Sequence, residues 1–496
     1  MLGSYLTAQR LCFAAALALT MPSATLSAQL TYDGRNTPAG TGWRADAATM
    51  IDENRKADID LSVQLPDGTA LPGASIHVAM QDHAFQFGSA LDPRYFLQSQ
   101  SRYEPTYAEK VEELFNTAVY ENHTKWRAWN GDFGPGFEQS VVQEGLGWIA
   151  DRGLDMRGHT MLWTGYDKSP SFIQEMLDDI AASPTQANRQ ALYDATFDRI
   201  EDIADATAGQ IYAWDMLNEP RRNTDIEDAL IGFTPAGGDT VSSRGDLRAR
   251  WFNAAKAAAP DALMMVNDFQ IIPGGGLADT EPEEYKEQIN GILNEGGVIE
   301  GIGFQSHFST DRWKAPTAPR AIWELLDEFD ATYDLPMHIT EFDFATTDLA
   351  LQADYTRDFM TAVFAHDAIE AFLLWGFWEG KMSNPEGALF DLDWNINPNG
   401  QAYIDLVFGE WWTDEIGDTD LAGLFDIRGF LGDYLITVEY NGQVYEFVET
   451  LGSGGLSRTY VIPEPATACG LVLLLGWVAT RRSPGGCAAT SAASPR

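Results

Sequence analysis

Between residues 85 and 408 the chain repeats one rhythm. Short, mostly apolar runs recur, many ending in polar or aromatic residues: HAFQFGSAL, FNTAVYEN, MRGHTMLW, IYAWDMLNE, ALMMVNDF, GIGFQSHF, PMHITEFDF and AFLLWGFWE. Near-continuous apolar runs of this length fit strands buried on both faces, as in parallel sheets. Most are separated by stretches long enough for a helix, among them 109–114, 187–204 and 321–331. Eight alternating β/α units predict an α/β fold, a (β/α)8 TIM barrel with lengthened loops. A doubly wound open sheet is the rival arrangement, but no glycine-rich phosphate loop follows any of these runs.

The flanks follow a different pattern. In 57–89, IDLSVQL and SIHVAM alternate apolar with polar residues and are separated by the turn-rich PDGTALPG. This predicts an N-terminal β-rich segment over 29–84. After the barrel, GLFDIRGFLGDYLITVEYNGQVYEFVETL alternates again, and Asn441-Gly442 is a strong two-residue hairpin signal. A small C-terminal β-rich module is expected over 409–460, either binding carbohydrate or packing on the barrel.

The two ends speak of destination. Arg10, an apolar run over 11–21 and small residues up to Ala28 form the pattern of a secretory leader, 1–28. Near the other end, Pro463-Glu464-Pro465 precedes an apolar stretch, 466–480, and then Arg481-Arg482. Fifteen residues fall short of the ~20 that span a bilayer as a helix. The order resembles the PEP-CTERM sorting tag of bacterial exported proteins, although fourteen residues follow the arginine pair. The tail, 461–496, is thus expected to serve sorting or envelope attachment, and export is expected on either reading.

Composition narrows the chemistry. With 45% hydrophobic and 12% aromatic residues, the chain has ample surface for a core. Lys plus Arg number 32 against 73 Asp plus Glu, a formal charge of −41. That field repels nucleic acid and anionic lipid, and suits a neutral partner such as a polysaccharide. Cys12, Cys469 and Cys487 fall in the leader and tail region, leaving the body no thiol for a disulfide, a metal or nucleophilic attack. Its seven histidines are scattered, without a paired metal-binding spacing, so no metal or cofactor is expected. No G-x-S-x-G elbow ends a run, which argues against a serine hydrolase.

TIM barrels place working residues at the C-terminal ends of their strands. Glu219 ends the fourth run and Glu341 lies near the end of the seventh. Two carboxylates at one mouth are what glycosidic cleavage requires: one protonated to serve the leaving oxygen, one ionised to meet the developing positive charge. Asp343 shares a strand face with Glu341, and His307 ends the neighbouring run, placed to bridge both acids. Hydrogen bonds to an ionised carboxylate favour that form. His159, Trp163 and Trp375 are expected to line the same cleft, because flat aromatic faces suit the C–H faces of sugar rings.

Taken together, WDMLNEP, ITEFD, YENHTKW, RGHTMLW, GIGFQSH and LLWGFW have the order and spacing of glycoside hydrolase family 10, the endo-1,4-β-xylanases. The chain resembles that family from about 85 to 408, and its lead-in and WGFWE resemble the plant-type branch. The resemblance implies a retaining double displacement on xylan with Glu219 as acid/base and Glu341 as nucleophile, their carboxyl groups ~5–5.5 Å apart. It implies that Asn218 meets the sugar 2-hydroxyl and that Glu121, Asn122, Lys125 and Gln305 contact substrate, in a monomeric enzyme. Two positions depart from the family pattern: Thr164 stands where many members have histidine, and Ser383 where many have a second cleft tryptophan. Trp378 is the nearest substitute. A β-1,4-glucan-active barrel glycosidase shares paired glutamates, but the set Asn122, Lys125, His159 and Gln305 matches the xylan family. A noncatalytic envelope glycan-binding protein would not need both carboxylates.

Overall fold

All eight apolar runs form strands. The computed structural model describes residue 32 and residues 42–463, apart from the side chains of Ala278 and Arg312; the expected leader, most of the tail and all three cysteines lie outside the described residues. In chain order the strands are β1 (Lys56–Gln64), β2 (Ser75–His83), β3 (Gln86–Leu91), β4 (Thr117–Tyr120), β5 (Asp155–Leu162), β6 (Ala213–Asn218), β7 (Leu263–Asp268) and β8 (Gly301–Phe304). They continue as β9 (His307–Ser309), β10 (Met337–Ala345), β11 (Ile369–Leu374), β12 (Asp414–Asp418), β13 (Leu424–Phe430), β14 (Gly432–Tyr440), β15 (Gln443–Leu451) and β16 (Leu456–Val461).

The large sheet runs β11-β3-β4-β5-β6-β7-β8-β10, and β11 also pairs with β10, so eight parallel strands close the predicted barrel. Their central residues are buried, as an all-parallel sheet packed on both faces requires. Helices such as Pro105–Leu114, Gln186–Ala206 and Pro319–Tyr333 connect the strands. The sixth run is interrupted: β8 stops at Phe304, and the short β9 pairs beyond it with the end of β10, setting His307 opposite Asp343.

The flanks differ from the reading of two separate β segments. A helix, Gly42–Arg55, precedes β1; its Trp43, Ala47 and Ile51 recur every four residues and are buried, the helical period that the β-rich expectation overlooked. Strands from both flanks then share sheets, in the orders β13-β1-β16 and β12-β2-β14-β15. Period-two burial places Ile59, Leu61 and Val63 of β1 and Ile76, Val78 and Met80 of β2 in the core. The Asn441-Gly442 turn joins β14 to β15 with both residues at positive φ, 52° and 72°, as a two-residue hairpin demands.

This β unit lies at the N-terminal ends of the barrel strands. Two residues separate β2 from β3, and Trp411 stacks on Phe364 with ring centroids 4.1 Å apart. The C-terminal face of the barrel is left to the loops. Among the described residues no helix is long and apolar enough to cross a membrane.

Candidate active site

At that C-terminal face a cavity of about 330 Å³ is lined by Lys125, His159, Trp163, Asn218, Glu219, Gln305, His307, Glu341 and Trp375, joined by Phe269, Gln270 and Lys314. Nine of the twelve residues singled out from sequence therefore meet in one pocket. Asp343 stands behind His307, while Glu121 and Asn122 flank Lys125.

Glu219 follows β6 directly and takes a left-handed backbone conformation, φ 54°. A side chain other than glycine is strained there, on the order of 1–3 kcal/mol. Its N–H donates to the Asn267 carbonyl at 2.7 Å, fixing the turn. One carboxyl oxygen accepts from Gln305 Nε2 at 3.1 Å; the other accepts from Trp163 Nε1 at 3.1 Å and Asn223 Nδ2 at 3.0 Å. Burial raises the Glu219 pKa, and the charge of Glu341 adds to the rise against the hydrogen bond from Gln305. The group is biased towards its protonated form.

Glu341 is held differently. Its Oε1 accepts from Asn267 Nδ2 at 3.0 Å and its Oε2 from His307 Nε2 at 3.1 Å. The other ring nitrogen of His307 donates to Asp343 Oδ2 at 3.0 Å. Burial works against a charged ring, but Asp343 and Glu341 outweigh it and hold the His307 pKa up to about 10. The imidazolium thus keeps a fixed positive charge between two buried carboxylates. Asn384 Nδ2 also donates to Asp343 Oδ2, at 2.8 Å.

Behind the pair, Asp215 accepts from both Arg157 terminal nitrogens, at 2.6 and 2.5 Å, and from His159 Nδ1 at 2.8 Å. Burial opposes its charge, yet Arg157 prevails and the Asp215 pKa falls to about 2. Among the described residues, His159, Asp215 and Glu341 form the one group spaced for a cation. The Arg157 guanidinium already fills that role against Asp215.

Asn267 was not anticipated, though it ends the fifth run as the other site residues end theirs. It donates to Asn218 Oδ1 as well as to Glu341, both at 3.0 Å, and accepts from Thr340 Oγ1 at 2.9 Å. Gly303 makes this possible: a Cβ there would lie 2.5 Å from Asn267 Oδ1. Asn218 Nδ2 is buried and has no hydrogen-bond partner among the described residues, a donor free for a ligand.

The set around Lys125 is tied together. Lys125 Nζ donates to Asn122 Oδ1 at 3.0 Å and lies 5.2 Å from the Trp163 ring centre. Glu121, expected as an acceptor for sugar hydroxyls, is instead engaged by Lys381 and by Ser383 Oγ, the latter at 3.0 Å. Burial disfavours its charge, but Lys381 dominates and lowers its pKa. The departures from the family pattern thus have structural roles. Ser383 holds Glu121, and Thr164 Oγ1 donates to the Asn223 carbonyl at 2.8 Å, steadying the residue that donates to Glu219. Trp378 does not fill the vacated aromatic place: it stacks on Trp394 at 4.8 Å, 4° from parallel, and is not among the cavity lining.

The sequence profile of glycosyl hydrolase family 10 matches residues 75–405. Among curated relatives, endo-1,4-beta-xylanase 1 of Arabidopsis thaliana is 26% identical over 78% of this chain and 37% of its own length. The anti-sigma-I factor RsgI6 of Acetivibrio thermocellus is 26% identical over 86% of the chain and 50% of its length. The chain spans half or less of the length of these two relatives. Of solved structures, xylanase 10B from Thermotoga petrophila, in complex with xylobiose, has a TM-score of 0.50 at 20% identity, over 66% of this chain and 95% of the other. Native xylanase 10B from Thermotoga maritima gives 0.50, 20%, 66% and 96%. These structures share the fold.

Proposed function

The chain belongs to glycosyl hydrolase family 10, and from that premise we propose that it is an endo-acting, retaining β-1,4-xylanase. The observation that carries the reading is the unequal treatment of two carboxyl groups in one cavity. Burial biases Glu219 towards the proton it must give, while Glu341 accepts from Asn267 and from the His307 imidazolium. Opposed environments are how one site runs acid and nucleophile at the same pH.

In the first step Glu219 gives its proton to the glycosidic oxygen as Glu341 attacks the anomeric carbon. The leaving chain departs as an alcohol and a glycosyl ester of Glu341 remains. Glu219, now ionised, takes a proton from water, whose oxygen displaces Glu341. The free Nδ2 of Asn218 is assigned to the sugar 2-hydroxyl, a contact that strengthens as the ring flattens. Lys125, Trp163 and Trp375 hold the polymer, with the Glu121–Lys381 pair beside them. Polysaccharide is the partner, one chain the working unit. Export through the leader and envelope attachment through the tail belong to the same reading.

Release of reducing sugar from xylan and from mixed-linkage β-glucan tests it. Wild type is expected to prefer xylan, and Glu219→Ala and Glu341→Ala each to lose ~10³-fold or more in kcat. Equal turnover by all three proteins would defeat the site assignment. A preference for β-glucan would favour the glucanase alternative, and no turnover of either polymer would favour a glycan-binding protein.

A further inference from the structure

The chain carries eight lysines among 73 acidic residues, so a lysine ordinarily finds a carboxylate. Lys56, Lys110, Lys256 and Lys286 do, with Asp52 at 3.7 Å, Glu113 at 2.6 Å, Glu300 at 2.8 Å and Glu283 at 2.5 Å. Lys381 is paired with Glu121, and Lys125 is bonded to Asn122 inside the cleft. Lys168 and Lys314 are left. Among the described residues neither is within ion-pair distance of a carboxylate; Lys314 lines the cavity, and Lys168 stands beside it, over the lining residue Trp163 and near enough for its charge to act on Glu219. Lys168, in the loop after β5, places Nζ 4.7 Å from the centre of the Trp163 ring. Lys314, in the loop after β9, lines the cavity beside Phe269 and Gln270.

Their position has a direction. Glu219 follows β6, which lies between β5 and β7 in the sheet; Lys168 follows β5, and the Lys314 loop meets the β7 loop where Gln270 Nε2 reaches the Trp313 carbonyl at 3.5 Å. The two cations therefore flank the proton donor, which faces the leaving group. A xylan backbone is neutral and offers an ammonium only hydroxyls. Two unpaired cations in a strongly acidic protein mark a place where negative charge arrives with the ligand.

We propose that Lys168 and Lys314 bind the carboxylate of a uronic acid branch carried on the leaving part of the polymer, making acid-decorated xylan the preferred substrate class. The inference rests on the xylanase reading and adds the decoration. Each ammonium supplies up to three donors to the carboxylate. Because the pair is solvated, the gain is modest, about three- to fivefold per lysine.

The test compares kcat/KM on glucuronoxylan with kcat/KM on the same polymer after chemical reduction of its carboxyl groups to alcohols. Each protein is its own control, since only the ratio is read. Wild type at low salt is expected to favour the native polymer about tenfold. The ratio is expected to fall towards one in Lys168→Met/Lys314→Met and, in wild type, at high salt. A wild-type ratio of one or less, or an undiminished ratio in the double variant, would overturn the proposal. If neither polymer is cut, the xylanase reading falls. Retardation of Glu341→Gln in gels containing each polymer then decides the lysine proposal by itself, with equal retardation overturning it.

Discussion

His307, at the C-terminal end of the barrel, has its pKa held up to about 10 between Asp343 and Glu341. Towards the N-terminal end, burial pushes His83 down to about 4 and His338 down to about 3. His83 is ringed by Phe87, Phe364, Trp412 and Phe430 and bonded to the Val407 carbonyl. Neither ring nitrogen of His338 has a hydrogen-bond partner among the described residues. The default for a buried imidazole is therefore the neutral ring, and a charged one has to be held by specific acids. One end of this barrel keeps charges apart from water in a fixed order. The other is an aromatic seal onto a β unit.

The largest expected effect breaks the first half of that contrast. His307→Gln removes the cation between two buried carboxylates, and kcat on xylan is expected to fall ~10²-fold or more through loss of positioning. A second readout separates this from misfolding. The folded protein holds the His307 proton to about pH 10, the unfolded chain only to ~6.5. Folding takes up a proton between those values, so this stability is complete below ~6.5 and is lost as pH rises through about 10. Urea midpoints across that range should decline in wild type and flatten in the variant; parallel curves would refute the assignment. His83 and His338 act in the opposite sense, their stabilisation fading as pH falls below ~6.5.

At the other end, Arg55 donates to the carbonyls of Phe364 and Ile369, each at 2.7 Å, and of His366. Arg55→Met is expected to cost about 3 kcal/mol of unfolding free energy, measured in urea, with kcat changed less than about twofold. A large loss of kcat in folded protein would show that the two ends are coupled. The smallest effect sharpens the comparison within the site. Thr164→Val deletes the bond to the Asn223 carbonyl, a change of about 1 kcal/mol, or about fivefold in kcat/KM. An unchanged kcat/KM would make Thr164 a packing residue only.

Legibility in the sequence was uneven for physical reasons. The eight barrel runs stood out because strands buried on both faces must be apolar, and Glu219, His307 and Glu341 stood out because they interrupt or end those runs; Asn218 came only from the family resemblance. Asn267 stood near the end of its run in the same way, but its importance lies in three contacts, to Asn218 of β6 and to Thr340 and Glu341 of β10, which no spacing encodes. The Glu121–Lys381 pair joins residues 260 positions apart. The helix Gly42–Arg55 has the right period, yet it was hidden by the strand-like sequence around it.

The sequence by itself determined the barrel and the β character of both flanks and pointed to two glutamates, since each follows from periodicity or from residue type at a strand end. Tertiary structure alone decided that the flanks merge at the base, that Trp378 turns to Trp394, and that Lys168 and Lys314 have no carboxylate within ion-pair distance among the described residues. Those outcomes depend on which distant surfaces meet, and a carboxylate's protonation or a lysine's freedom is set by its neighbours in space, not along the chain.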